Sequence, residues 1–266
     1  MTWTWPDVSS TNGSVLFVTG LSFGILGAYG VRTVLVGRED DPRVARAAGS
    51  VLIGRWFLEA FYWSFRFPGR LFVAMGVSPD ALTWTSLAVT AGALPAAALG
   101  HFSTAGAFVL VGAFFDSFDG MVARARGLAS ERGEMLDAVI DRYADAAPMA
   151  GLIVFYRFSP WQMSVPLAAL LGSFLLSYVR AKSEALGLVL PNGLMRRHER
   201  IAYTVAALVI GPELSPWFAS PSGAVHPVTL AVLAGIAILS NGAALKLLHD
   251  ARRELLRRGR GPQESP

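Results

Sequence analysis

The chain has 266 residues, of which 53% are hydrophobic and 16% charged, with a mean hydropathy of +0.46 and no cysteine. This apolar composition disfavours a soluble globular protein and favours one that crosses a membrane several times. The absence of cysteine excludes disulfides, thiolate zinc sites and catalytic thiols. The net charge of +4 does not require nucleic acid, because membrane proteins concentrate lysine and arginine in cytoplasmic loops.

The first apolar segment, Ser14–Val36, is about long enough to cross the ~30 Å hydrocarbon core of a bilayer. Residues 37–70 then mix basic and aromatic side chains with no long uncharged run. This pattern predicts an amphipathic helix at the membrane interface, in contact with lipids and not with nucleic acid. The residues that carry it are Arg38, Arg43, Arg46, Arg55, Arg66 and Arg70, with Trp56, Phe57, Phe61, Tyr62, Trp63, Phe65 and Phe67.

Further spans follow a turn at Gly76–Thr83, in which Pro79 and Asp80 suit the first turn of a helix. The predicted spans are Ala81–Gly100, Thr104–Ala125, Gly133–Tyr156, Pro160–Leu186, Ile201–Leu214 and Val225–Leu248. We therefore predict an all-α, polytopic membrane helix bundle with a six-helix core, one extra N-terminal span and an interfacial amphipathic helix. The predicted parts are the N-terminal span and juxtamembrane helix (1–75), the membrane domain (76–250) and a basic cytoplasmic tail (251–266).

The basic residues orient the predicted spans. Residues 37–80, 124–132 and 180–200, and the tail after Lys246, share one side of the seven-span arrangement. Of the 23 lysines and arginines, only Arg157 falls in a loop on the other side. By the positive-inside rule the basic side is the cytoplasm. We predict an integral protein of the plasma (inner) membrane whose N-terminus lies outside.

Four aspartates lie in two pairs inside otherwise apolar helical segments. Asp116 and Asp119 are three residues apart and Asp137 and Asp141 are four apart, so each pair lies on one helix face. The short polar turn at 124–132 makes the two helices antiparallel neighbours. The four carboxylates are therefore expected in one pocket at the cytoplasmic interface. Each costs at least ~2.5 kcal/mol in a bilayer helix, so the cluster predicts a functional site.

The chemistry of these residues predicts a metal site that binds a phosphate group. Four unpaired like charges repel one another, and two Mg²⁺ or Mn²⁺ ions with oxygen ligands remove that repulsion. Two such ions can polarise a phosphoryl group and stabilise its leaving oxygen. Gly120 lets a ligand approach the backbone, Arg124 offers paired donors to a phosphate, and the helix start at Gly133 favours an anion.

Residues 116–141 resemble the complete signature of the CDP-alcohol phosphotransferase family. The matching string is Asp116-x2-Asp119-Gly120-x2-Ala123-Arg124-x8-Gly133-x3-Asp137-x3-Asp141. The resemblance implies a six-helix membrane bundle, usually a homodimer, with its site open to the cytoplasm. It also implies attack by the hydroxyl of a polar alcohol on the lipid-side phosphate of CDP-diacylglycerol, with release of CMP.

The same resemblance implies a role for each residue of the motif. Metal ligands would be Asp116, Asp119, Asp137 and Asp141. Contacts to the CDP group would come from Asp116, Asp119, Gly120, Ala123, Arg124 and Gly133. Asp141 would also be the general base, a role that needs a pKa near the working pH.

The acceptor is predicted from the cytoplasmic end of the fifth span. The string Ser177–Glu184 and the arginines before the sixth span are strongly basic, which favours an alcohol that carries phosphate. This region is similar to the phosphatidylinositol-phosphate synthase branch of the family, although Lys182 stands where arginine is more usual. The similarity implies inositol phosphate as acceptor, with glycerol phosphate or serine as alternatives. Its contacts would be Ser177, Arg180, Lys182 and Arg200.

Two other functions also use acids in a membrane. An intramembrane prenyltransferase binds a diphosphate through paired aspartates and magnesium, but its acidic motifs lie on well-separated helices without the Gly-x2-Ala-Arg element. A cation transporter would distribute its acids through the depth of the membrane, whereas these cluster at one face.

Overall fold

The computed structural model describes residues 12–37, 55–190, 193–218 and 225–259, and this part of the chain forms α-helices and no strand. The predicted all-α class is therefore confirmed. The helices, numbered in chain order, are α1 (Asn12–Val36), α2 (Arg55–Ser64), α3 (Arg66–Ala74), α4 (Pro79–Ala91), α5 (Ala93–Ala98), α6 (Phe102–Ala125), α7 (Glu131–Phe155), α8 (Pro160–Ala185), α9 (Arg197–Leu214) and α10 (Pro227–Gly259).

Two of the predicted spans differ from the helices that form. The span predicted at Ala81–Gly100 is divided at Gly92 into α4 and α5, because Pro95 has no backbone N–H to continue the ladder. The last span was predicted to end at Leu248, but α10 continues to Gly259. Arg258 there donates a hydrogen bond to the carbonyl of Gly187 at 2.9 Å, which anchors the extension to the end of α8.

Five of the described helical stretches are long and apolar enough to cross a membrane. They are Gly13–Val36, Pro79–Ala98, Phe102–Ala125, Pro160–Ala185 and Pro227–Arg258. The other two predicted spans form α7 and α9, whose 25 and 18 residues correspond to about 37 and 27 Å. Their composition is less apolar because α7 carries aspartates and α9 begins with arginines.

The N-terminal helix α1 packs against the bundle through a few polar contacts within an apolar surface. Ser14 and Thr104 share a hydrogen bond of 3.1 Å between α1 and α6. The hydroxyl of Tyr29 donates to the buried carboxylate of Glu59 on α2 at 3.1 Å. Helices α2 and α3 form the described part of the predicted interfacial segment, and its first residues, 38–54, lie outside the described ranges.

Small residues let the central helices approach one another closely. A methyl group at Gly112 of α6 would collide with Thr90 of α4, and one at Gly151 of α7 would collide with the backbone of α5. Close backbone contact through glycine is typical of helix packing in membranes. The Gly112 contact packs α6 against α4 one turn before Asp116, whereas the Gly151 contact packs α7 against α5 further from the aspartates.

Candidate active site

The hairpin between α6 and α7 presents the two aspartate pairs to each other. Helix α6 ends as Gly127 adopts a left-handed φ of 66°, and the N–H of Leu128 bonds back to the carbonyl of Ala123 at 2.8 Å. Ser130 then caps α7 by accepting from the N–H of Gly133 at 3.2 Å. The turn therefore makes α6 and α7 antiparallel neighbours, as their spacing predicted.

Three of the four aspartates form a compact ligand group. One carboxylate oxygen from each of Asp116, Asp119 and Asp137 lies within 4.8 Å of the others. Asp119 is only 7% exposed, and the other two are partly buried. Asp141 is outside this three-residue group, although it lies on the same face of α7 as Asp137, one turn further along.

Asp119 is held in place by two donors. The hydroxyl of Thr83 on α4, itself buried, donates to Asp119 Oδ2 at 2.6 Å. The backbone N–H of Gly120 donates to the other oxygen, Oδ1. Thr83 fixes the rotamer of the carboxylate from a different helix, and no motif in the sequence predicts this role.

Asp141 is paired with Arg197, one of the arginines before the sixth predicted span, for which the sequence indicated only a basic character. Arg197, at the start of α9, contacts Asp116 Oδ2 through Nη1 at 2.6 Å and Asp141 Oδ1 through Nη2 at 2.8 Å. Its Nε lies 3.6 Å from Asp145 Oδ1. An arginine side chain in a protein stays protonated, and here three carboxylates lie around it. The guanidinium is therefore a fixed positive charge inside the cluster.

Arg200 is held away from the centre of the cluster. Its Nη2 lies 3.1 Å from Asp145 Oδ2, and its Nη1 donates to the carbonyl of Met195 at 2.9 Å. Met195 is buried and adopts a left-handed φ of 58°, a conformation that is costly for a residue other than glycine. Arg200 thus stabilises the tight turn that leads into α9. Arg200 therefore already contacts Asp145 and the Met195 carbonyl. Its contact with the acceptor stays a prediction.

The glycines and the arginine of the motif have definite local roles. A methyl group at Gly120 would lie 3.1 Å from Arg124 Nη1, so the glycine leaves room for that guanidinium to fold back over α6. Arg124 itself is exposed at the rim. The N–H of Gly133 is used by the Ser130 cap, which leaves it less available to an anion than the sequence suggested.

The predicted acceptor residues of α8 lie near its C-terminal end. Ser177 and Arg180 are partly buried, and Lys182 is exposed. Neither Arg180 nor Lys182 forms an ion pair with any described residue. These side chains do not join the aspartate cluster directly, whereas Arg200 reaches it through Asp145.

A narrow cavity lies beside Asp116 between the central helices. Its wall combines charged groups with hydroxyl groups. The polar residues that line it are Asp116, Asp145, Arg197, Arg200, Ser86, Thr90, Ser173 and Thr204. The other half of its lining is apolar or small, so these polar groups face a narrow space inside the bundle next to the aspartates.

The residues present fit a divalent cation. Ligands about 2.1 Å from an ion lie at most ~4.2 Å apart, so oxygens within 4.8 Å of one another need only a small adjustment to share one. Asp116 Oδ1 is buried and accepts no hydrogen bond from any described residue. It is therefore free to bind a metal while Oδ2 stays paired with Arg197.

Known proteins with related sequences and folds were compared with the chain. Residues 76–238 match the family model described as CDP-alcohol phosphatidyltransferase. The phosphatidylinositol phosphate synthase of Mycobacteroides abscessus is 38% identical over 138 residues, which cover 50% of this chain and 63% of that protein. The match therefore spans less than two thirds of this relative.

Two solved structures of Mycobacterium tuberculosis phosphatidylinositol phosphate synthase share the fold. The structure with CDP-DAG bound has a TM-score of 0.59 and 27% identity, and the match covers 69% of this chain and 90% of that one. The complex with manganese and citrate has a TM-score of 0.61 and 26% identity, with coverage of 70% and 88%.

Proposed function

Because this chain belongs to the CDP-alcohol phosphatidyltransferase family, whose model matches residues 76–238, we propose that it transfers a phosphatidyl group from CDP-diacylglycerol to a polar alcohol and releases CMP. The observation that carries the proposal is the ligand group of Asp116, Asp119 and Asp137, whose oxygens lie within 4.8 Å of one another. The M. tuberculosis relatives with CDP-DAG and with manganese are consistent with both parts of the proposal.

The proposed step is a substitution at phosphorus. The acceptor hydroxyl oxygen forms a new P–O bond to the lipid-side phosphate, and the P–O bond to CMP breaks. The hydroxyl proton passes to Asp141, and the electron pair of the broken bond leaves with CMP. Asp141 suits the role of base because its carboxylate is partly buried and shares Arg197 with Asp116, one of the metal-site acids.

Asp116, Asp119 and Asp137 would hold the divalent metal, Mg²⁺ or Mn²⁺, and Asp141 would contribute to a second ion. When bound, such ions supply positive charge that stabilises the diphosphate and its leaving oxygen. Thr83 keeps Asp119 oriented, and Arg124 at the exposed rim can bind a phosphate of the CDP group. The remaining CDP contacts, Gly120, Ala123 and Gly133, lie along the same hairpin.

The proposed acceptor is inositol phosphate. The cations at the ends of α8 and α9 favour an anionic alcohol over a neutral one. Ser177, Arg180, Lys182 and Arg200 are the proposed contacts to its phosphate.

The proposed setting is the plasma (inner) membrane, with the site facing the cytoplasm and the chain forming a homodimer. The acceptor and CMP are water-soluble, whereas the donor is a lipid, so a site at the membrane interface serves both. The arginines within 124–132 and 193–200 lie at the same end of the helix bundle as the aspartates. This distribution agrees with a cytoplasmic site under the positive-inside rule.

The test is a radiolabel assay on the purified protein with CDP-diacylglycerol and Mn²⁺. Inositol phosphate, inositol, glycerol phosphate and serine are compared as acceptors, and both CMP and the lipid product are measured. We expect CMP release with inositol phosphate and its loss after chelation of the metal. Absence of CMP with every acceptor would overturn the proposed enzyme function. Turnover with glycerol phosphate or serine alone would overturn only the proposed acceptor.

A further inference from the structure

The guanidinium of Arg197 lies where a cation that bridges Asp116 and Asp141 would bind. Its two terminal nitrogens contact one oxygen of each carboxylate, at 2.6 and 2.8 Å. The three-aspartate ligand group includes Asp116 as well, and Asp116 Oδ1 accepts no hydrogen bond from the described residues. The acidic cluster therefore has one half open to a metal and one half already neutralised.

Asp145 provides Arg197 with a third carboxylate partner. It lies one helical turn beyond Asp141 on α7, and its two oxygens are divided between two arginines. Oδ2 lies 3.1 Å from Arg200, and Oδ1 lies 3.6 Å from Arg197 Nε. A short rotation of the Arg197 side chain can therefore release Asp116 and Asp141 while the charge stays paired with Asp145.

The backbone that carries Arg197 is fixed. Arg200 bonds to the carbonyl of Met195, and the carboxylate of Glu199 accepts from the N–H of Arg196 at 2.8 Å. Glu199 and Arg200 are both buried, at 1% and 5% exposure. Movement of the guanidinium is thus confined to its own side-chain torsions.

We propose that Arg197 is a built-in counter-cation that makes metal binding sequential. One divalent ion enters the group of Asp116, Asp119 and Asp137 while Arg197 is in place. A second ion at Asp116 and Asp141 binds only when Arg197 withdraws to Asp145, because the ion and the guanidinium need the same oxygens. Arg197 therefore weakens the second site, and Asp145 strengthens it. This inference rests on the proposed metal-dependent function.

The test measures Mn²⁺ binding to the purified protein without any substrate, by electron paramagnetic resonance of free Mn²⁺ and by calorimetry. Arg197→Gln should tighten the second site by about tenfold to a hundredfold, the range expected when a charge-assisted contact no longer competes. Arg197→Lys keeps the charge without the forked geometry, so its affinity for the second ion should lie between those of wild type and Arg197→Gln. Arg132→Gln is the matched control. Its side chain is 90% exposed and its nearest carboxylate is Asp80, at 3.7 Å, so both affinities should be unchanged.

Asp145→Asn distinguishes this mechanism from general structural support. The variant removes the alternative partner of Arg197, so the second site should weaken, in the opposite direction to Arg197→Gln. Weakened binding in both variants would overturn the proposal, since that result is expected if Arg197 only supports the fold. Equal isotherms for Arg197→Gln and wild type would also overturn it. If Arg197→Gln does not fold, the proposal is tested with the other two variants. Arg197→Lys should then raise the Mn²⁺ affinity of the second site, and Asp145→Asn should lower it.

These measurements separate the inference from the function on which it rests. The binding isotherms need no substrate, and CMP release from CDP-diacylglycerol needs no variant. Two Mn²⁺ sites with the expected shifts but no CMP release from wild type would uphold sequential binding and overturn the proposed transfer. CMP release from wild type, with unshifted isotherms in the variants, would uphold the proposed transfer and overturn sequential binding.

Discussion

Replacing Thr83 by valine tests whether the inter-helix hydrogen bond to Asp119 prepares the metal site. The hydroxyl donates to Asp119 Oδ2 at 2.6 Å, and the two residues are 4% and 7% exposed. Valine keeps the branched shape and removes only the donor. The carboxylate would still accept from the N–H of Gly120, so it would lose orientation without losing every partner.

The expected effect follows from the energy of the contact. A hydrogen bond to a charged group contributes about 1.5–3 kcal/mol, and each ~1.4 kcal/mol is a factor of ten in affinity. We therefore expect divalent-ion affinity to fall by roughly tenfold to a hundredfold, a range also typical of residues that orient metal ligands. Because the N–H of Gly120 still holds the other oxygen, we expect the affinity to fall by the lower end of this range, roughly tenfold.

The assay is Mn²⁺ titration of the purified protein, repeated as the metal dependence of CMP release. Thr83→Ser keeps the hydroxyl and should retain most of the affinity. Thr85→Val removes an exposed hydroxyl that bonds only to the carbonyl of Ala81 at 2.7 Å, so it should bind Mn²⁺ as wild type does. If Thr83→Val bound Mn²⁺ within twofold of wild type while folded, the argument that α4 orients Asp119 would be refuted.

Three further outcomes are expected. Asp141→Asn should abolish CMP release while the protein remains folded, and full activity would refute its role as base. Gly112→Val should lower the unfolding temperature, since overpacking against Thr90 costs about 1–3 kcal/mol; Gly242→Val, where nothing lies within 4 Å of an added Cβ, is the control. Asn241→Leu should destabilise the bundle by only ~0.6 kcal/mol, although its amide bonds to a carbonyl of α8 at 3.0 Å; a much larger loss in thermal or denaturant unfolding would contradict that value.

The family and the helical class could be predicted because both depend on local patterns. The aspartate spacings of three and four residues have a fixed meaning on a helix, and the eight motif identities lie within one hairpin. The family resemblance and the membrane helix bundle are both confirmed. The predicted roles of individual residues, such as the acceptor contacts of Ser177 and Arg180, stay predictions.

Sequence periodicity could not identify the partners that complete the cluster. Thr83 is 36 residues from Asp119, and Arg197 is 81 residues from Asp116. A threonine in an apolar helix usually bonds to its own backbone, and the carbonyl of Pro79 lies 3.1 Å from the Thr83 hydroxyl as the competing acceptor. The arginines before α9 have the composition that the positive-inside rule gives to any cytoplasmic loop. Asp145 could be predicted to lie near the cluster, because it follows Asp141 by four residues and is therefore on the same helix face.

The sequence by itself determined that four carboxylates would meet at one end of a membrane helix hairpin, because helix periodicity and a short turn fix that geometry locally. Tertiary structure alone decided how those carboxylates are divided. Packing of α4 assigns Asp119 to Thr83, and the buried turn before α9 assigns Asp116 and Asp141 to Arg197. Those pairings depend on which distant helices lie side by side and on the direction of each side chain, and neither is encoded in the spacing of the motif.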